Sequence, residues 1–81
     1  MEHSYTVQDD ILIITLQGDL IGENNGPELV NIVNDQLHEK INRCAVDLSG
    51  VRYMNSSGIG VLITLLTKFR NQEGEMILIK P

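Results

Sequence analysis

Apolar side chains recur along this 81-residue chain in two different rhythms. Residues 4–8 alternate polar and apolar, with Tyr5 and Val7 on one side, which is the pattern of a half-buried edge strand. Asp9-Asp10 makes a turn. Residues 11–16, ILIITL, are largely β-branched and almost wholly apolar, predicting a central strand joined to the first by a tight hairpin. Residues 17–27, QGDLIGENNGP, are rich in Gly, Asn and Asp and predict a loop. The rhythm then lengthens. Pro27 has a fixed φ suited to a first helical position, and Leu29, Val30, Ile32, Val33, Leu37 and Ile41 follow at helical spacing, opposite Asn31, Asn34, Asp35 and His38. Lys40 near the end complements the helix dipole. Residues 43–48, RCAVDL, predict another buried strand, which Ser49-Gly50 breaks. A second helix starts near Asn55 or Ser56 and runs through GVLITLLTKFRN, with Lys68 and Arg70 in its last turns. Glu73-Gly74 ends the connection, and residues 76–79, MILI, predict a final strand. The order is β-β-α-β-α-β in one α/β domain spanning residues 1–81, with no repeat or linker. Strands separated by a helix run parallel, while the face taken by each helix depends on strand order and stays open.

In the second helix, Ile59, Leu62, Ile63, Leu66 and Phe69 form one stripe expected to face the sheet. Val61 and Leu65 lie off it, beside Thr64 and Lys68. They predict a second ridge facing outward, covered by another helix or offered to a partner. The turn before this helix reads MNSSGIG, residues 54–60. Glycine costs roughly 1 kcal/mol relative to alanine inside a helix, so Gly58 and Gly60 need a reason beyond folding. A helix N-terminus has unpaired amides that Asn55 or Ser56 can cap and that can also receive an anion. Capping does not require the glycines, whereas close approach by another molecule does.

Composition narrows the function. A chain this short buries only roughly 60% of the surface it exposes when unfolded, which leaves a thin margin of stability. With one Phe, two Tyr and no Trp it is poorly equipped to stack nucleic-acid bases, and its net charge of −5 argues against polyphosphate backbones. The charge is uneven: residues 1–50 sum to −7 and residues 51–81 to +2, so a partner reading both halves needs a mixed surface. Cys44 is the only cysteine, which excludes a disulfide within the chain; its neighbours Ala45 and Val46 predict an inert thiol in a buried strand. The N-terminus lacks the features of a signal peptide, and no apolar segment reaches the roughly 18 residues needed to span a bilayer, so the expected location is the cytoplasm.

Catalysis finds no support in the pattern. A hydrolytic serine at 56 or 57 would need a base, and the histidines are His3, near the start, and His38, on the polar side of the first helix. Neither a Gly-x-Ser-x-Gly elbow nor a Gly-x-x-x-x-Gly-Lys phosphate loop is present. Asp9-Asp10 and Glu23-Asn24-Asn25 read as turn and solvated loop, without the spacing of a metal site. The expectation is a protein that is not an enzyme and has no metal or cofactor.

Residues 47–62, DLSGVRYMNSSGIGVL, resemble the central signature of STAS domains, specifically the bacterial anti-sigma factor antagonists. Leu16-Gln17-Gly18-Asp19-Leu20, Pro27-Glu28-Leu29 and Gly74-Glu75-Met76 resemble flanking parts of that family, so the similarity extends over essentially the whole chain. The resemblance implies a STAS-like mixed sheet with packed helices, without the helix-strand-helix that family members carry after the fourth strand. Exposed sheet edges or swapped elements would then permit a homodimer. It also implies a switch. In such antagonists the first serine of the motif, here Ser56, is phosphorylated by the anti-sigma factor, a serine kinase that itself binds the ATP; Ser57 is the alternative acceptor. The unphosphorylated form binds the kinase and frees the sigma factor, the phosphorylated form lets go, and a serine phosphatase resets it. Asn55 stands where better-known antagonists have Asp, so that carboxylate is missing while the capping capacity is kept. The implied docking surface comprises Asn55, Ser56, Ser57, Gly58 and Gly60 of the turn. It adds Val61, Thr64, Leu65 and Lys68 of the outward ridge, with Asp19 and Glu23 of the acidic loop. The other reading is a STAS interaction module in a stress-signalling or lipid-transport complex, without phosphorylation.

Overall fold

The computed structural model describes residues 2–79. Six elements follow in the expected order: β1 (Glu2–Gln8), β2 (Ile11–Leu20), α1 (Gly22–His38), β3 (Arg43–Met54), α2 (Ser56–Asn71) and β4 (Glu75–Ile79). Asp9 and Asp10 both take positive φ, 53° and 63°, which gives the mirror-image two-residue turn whose twist matches that of the strands it joins. β1 therefore returns antiparallel to β2, with Gln8 opposite Ile11. β2, β3 and β4 run parallel, and the spatial order β1-β2-β3-β4 follows the chain.

That order decides where the helices go. The parallel strands are added in one direction, so two successive right-handed crossovers place α1 and α2 on the same face. One core results, formed by Leu12, Ile14 and Leu16 of β2, Val46 and Leu48 of β3, Leu29 and Val33 of α1, and Leu62, Leu65 and Phe69 of α2. Each such side chain, fully buried, contributes about 1.5–3 kcal/mol. The edge strands are less protected: Ile77, Leu78 and Ile79 of β4 and Tyr5 of β1 are each about half exposed. No helix among the described residues is long and apolar enough to cross a membrane.

Three predicted boundaries move. β2 does not stop at Leu16 but continues to Leu20, using Gly18 at φ 88° and two shifts of register against β3. β3 likewise passes through Ser49-Gly50 to Met54: the chain bulges there, Ser49 N–H donates to Asp47 Oδ1 at 2.9 Å, and pairing resumes at Gly50. α1 begins at Gly22, so Pro27 lies inside it rather than opening it. Its N-cap is Ile21, which has no side chain able to cap, so the start carries no capping signal and only Glu23 in the first turn marks it. Lys40, at φ 71°, ends the turn after α1 before Ile41, which still packs on the core.

The buried stripe of α2 is also rotated from the predicted one. Gly58, Leu62, Leu65 and Phe69 face inward, while Ile59 and Ile63 are 49% and 58% exposed. Leu65, expected on the outward ridge, is only 1% exposed, and Val61 is half-buried against Gly26 of α1. The ridge is thus covered by the other helix.

Candidate functional site at the paired helix N-termini

Leu20 and Met54 face each other at the ends of β2 and β3, and both helices start within two residues of them. Two sets of unpaired helical amides are thereby brought side by side. Asn55 serves both. Its Oδ1 accepts from the Gly58 amide at 2.7 Å, capping α2, and from the Gly22 amide at 3.3 Å, taking up one of the free donors of α1. The Asn55 main-chain N–H donates to the carbonyl of Leu20 at 3.3 Å, tying the turn to the end of β2. On α1, Ile21 N–H donates to Asn25 Oδ1 at 2.9 Å.

Glu23 completes the junction. Its carboxylate accepts from the Ser57 hydroxyl at 2.7 Å and from Asn55 Nδ2 at 3.4 Å. Those bonds, the Ser57 hydroxyl first, then the residue's own backbone amide and Asn55, hold the Glu23 carboxyl below its ordinary range although it is fully exposed. An acidic group in the first turn of α1 also suits the positive end of that helix. The helices touch through main chain: a Cβ on Gly22 would lie 2.3 Å from the Ser57 carbonyl oxygen.

The glycines of the turn have separate roles. Gly58 is buried, and a Cβ there would meet the Leu20 carbonyl oxygen at 2.6 Å, so its bareness serves packing within the domain rather than approach by another molecule. Gly60 is exposed with nothing within 4 Å of a Cβ, leaving an open stretch of helix surface. Ser56 is exposed at the first helical position, whereas Ser57 is partly buried and bonded to Glu23.

The predicted site residues therefore divide. Asn55, Ser57 and Glu23 form the internal junction, with Ser56, Gly60 and Thr64 exposed beside or below it; the Thr64 hydroxyl donates to the Gly60 carbonyl at 3.0 Å. Gly58, Leu65 and Val61 are used within the domain. Asp19 accepts from Arg52 at 3.4 Å along the ends of β2 and β3. Lys68 is removed to the other end of α2, where it borders an open groove of about 520 Å³ with His38 and Lys40. Twelve residues of helix separate it from Ser56, about 18 Å. Sequence reasoning missed Ile59 and Ile63 as surface residues. The contacts of Gly58 with Leu20 and Met54 fix the inward side, and that side leaves both isoleucines outward.

Burial pushes the Cys44 thiol up to about 12, in keeping with an inert core cysteine. Among the described residues no cluster of three or more His, Cys, Asp or Glu side chains could hold a metal ion.

The chain resembles several solved structures. A Thermotoga maritima protein assigned as an anti-sigma factor antagonist superposes with a TM-score of 0.82 at 26% identity, over 96% of this chain and 67% of that one. This chain thus spans about two thirds of that protein's length. The anti-sigma factor antagonist SpoIIAA in its unphosphorylated form gives a TM-score of 0.76 at 18% identity, over 99% of this chain and 74% of the other. An antisigma-factor antagonist STAS domain from Rhodobacter sphaeroides gives 0.73 at 16% identity, over 96% and 84%. The last two establish likeness of fold. The family model for the STAS domain, a non-catalytic regulatory domain, matches residues 3–81. The mixed sheet with its two packed helices and this match over nearly the whole chain agree: the protein belongs to the STAS domain family and is homologous to bacterial anti-sigma factor antagonists.

Proposed function

We propose that this domain is a phosphorylation-switched anti-sigma factor antagonist that docks on an anti-sigma factor with serine kinase activity through the exposed side of the opening turns of α2. The observation that carries this reading is the unequal use of the turn. Asn55, Ser57 and Gly58 are occupied in holding the domain together, while Ser56 stands free at the first position of the helix. Ile59, Gly60, Ile63 and Thr64 continue from it as an exposed, mainly apolar and small-residue strip. Such a strip suits close apposition to another protein.

A phosphate on Ser56 would add about −1.5 to −2 charge and three acceptor oxygens. The positive end of α2 accommodates that charge, while an apolar or acidic partner surface pressed against it does not. The fold therefore survives modification and the complex does not. ATP belongs to the kinase, and a serine phosphatase returns the domain to its binding form.

Incubation with the anti-sigma kinase and ATP, followed by intact-mass measurement, should show one added phosphate on wild type and none on Ser56→Ala. In a pull-down, wild type should retain the kinase and Ser56→Asp should lose it while remaining folded. Stoichiometric labelling of Ser56→Ala would refute the site, and failure of unmodified wild type to bind would refute the function.

A further inference from the structure

We propose that Glu23 makes the two adjacent serines unequal: a phosphate is accommodated on Ser56, and the carboxylate of Glu23 excludes one from Ser57. The inference rests on the reading that a serine of this turn carries the switch, and it adds the residue, on a different helix, that selects which one.

The geometry differs sharply over one residue. The Ser57 hydroxyl donates its proton to Glu23 Oε1 at 2.7 Å, and the same carboxylate accepts from Asn55, which in turn caps both helices. Ser57 is thus a structural member of the α1–α2 junction. Ser56 has no such bond and is exposed. Phosphoryl transfer from ATP to Ser57 would form an Oγ–P bond, break the bond from the γ-phosphorus to its bridging oxygen, release ADP and pass the hydroxyl proton to a base. The product would lack the donor that Glu23 holds and would set a dianion against a carboxylate at hydrogen-bond range, reversing the sign of the contact.

The main chain that carries Glu23 cannot retreat. Glycine at 22 brings the main chain of α1 so close to Ser57 that a Cβ there would lie 2.5 Å from the Ser57 Cβ. The first turn of α1 can move away from a phosphate only by giving up this packing and the Asn55 bond to Gly22. The dipole of α2 favours a phosphate at 56 and at 57 alike, so it cannot distinguish them. Glu23 can.

The test installs phosphoserine at 56 or at 57 by site-directed incorporation, each in wild type and in Glu23→Gln, with both unphosphorylated proteins as references, and measures thermal and urea midpoints. Phosphoserine 56 should leave the midpoint within about 2 °C of its reference, while phosphoserine 57 should lower it by at least about 4 °C, a shift well resolved for a domain this small. Glu23→Gln should recover most of that loss, which a purely steric effect would not allow. Should phosphoserine 57 fail to fold, Ser57→Asp in both backgrounds supplies the same comparison, with the same rescue expected. Equal midpoints for the two phosphoserines, or a loss at 57 that Glu23→Gln leaves intact, would overturn the proposal. No kinase takes part, so this outcome is separate from the labelling and pull-down that test the switch itself.

Discussion

Replacing Gly58 and Gly60 by alanine, one at a time, should change stability in opposite directions although the residues sit two apart in one helix. At Gly60 the added methyl meets nothing within 4 Å, so only the intrinsic preference for alanine acts, a gain of about 1 kcal/mol. At Gly58 the same preference is opposed by a Cβ placed 2.6 Å from the Leu20 carbonyl oxygen and 3.1 Å from Leu20 Cγ and Met54 Cγ. Side-chain atoms can rotate away, but the carbonyl belongs to the end of a central strand. Overpacking of this sort costs about 1–3 kcal/mol, and with a main-chain contact the upper part of that range applies. The net loss after the helical gain is about 1–2 kcal/mol. Urea denaturation followed by circular dichroism reads the difference directly: with a slope of ~1 kcal/mol/M, the midpoint should rise by about 1 M for Gly60→Ala and fall by about 1–2 M for Gly58→Ala. The separation of roles would be refuted if Gly58→Ala matched wild type or if Gly60→Ala were the less stable. Gly60→Ala should in addition weaken kinase binding while raising stability, a combination no folding defect can mimic.

Leu65→Ala, which empties a site 1% exposed, should cost about 2–5 kcal/mol, whereas Ile63→Ala, 58% exposed, should change the urea midpoint little and act on partner binding instead. Asn55→Ala should lower stability by about 1–2 kcal/mol in the same assay, at the upper end for a lost cap because the amides of Gly58 and Gly22 both lose their acceptor. Glu23 and Asp47 are both held below their ordinary values of 4.5 and 3.8, by the Ser57 hydroxyl and the Ser49 backbone amide respectively. A depressed folded-state value means the stabilisation is present above the unfolded value and disappears as pH falls through the folded one, so the melting temperature should decline from about pH 4.5 downward. Ser57→Ala should flatten the part of that decline that belongs to Glu23.

The resemblance over residues 47–62 and the change of apolar rhythm from strand to helix were enough to place six elements in order, because each depends on local spacing and turn chemistry. Boundaries that depend on other parts of the chain were not legible. Gln17 to Leu20 look like loop, yet they pair with Gly50 to Met54, and Ser49-Gly50 bulges instead of breaking the strand because Asp47 supplies an acceptor for the displaced amide. The start of α1 lacks a capping side chain of its own, since Asn55, 33 residues on, accepts from its first amide. The stripe of α2 was misjudged for a related reason. Two apolar ridges both satisfy helical periodicity, and only the close packing of Gly58 on Leu20 and Met54 and of Val61 on Gly26 of α1 decides that Leu65 is inside and Ile63 outside.

By itself the sequence determined the family and the order of elements, and it singled out the turn on which the proposed switch rests, all written in short runs of neighbouring residues. Only the tertiary structure decided which side of α2 faces solvent, why Gly58 differs from Gly60, and that Glu23 of one helix holds Ser57 of the other while Ser56 stays free. The physical reason is that hydrogen bonds and packing contacts act over a few ångströms in space, and the partners joined here lie more than thirty residues apart along the chain.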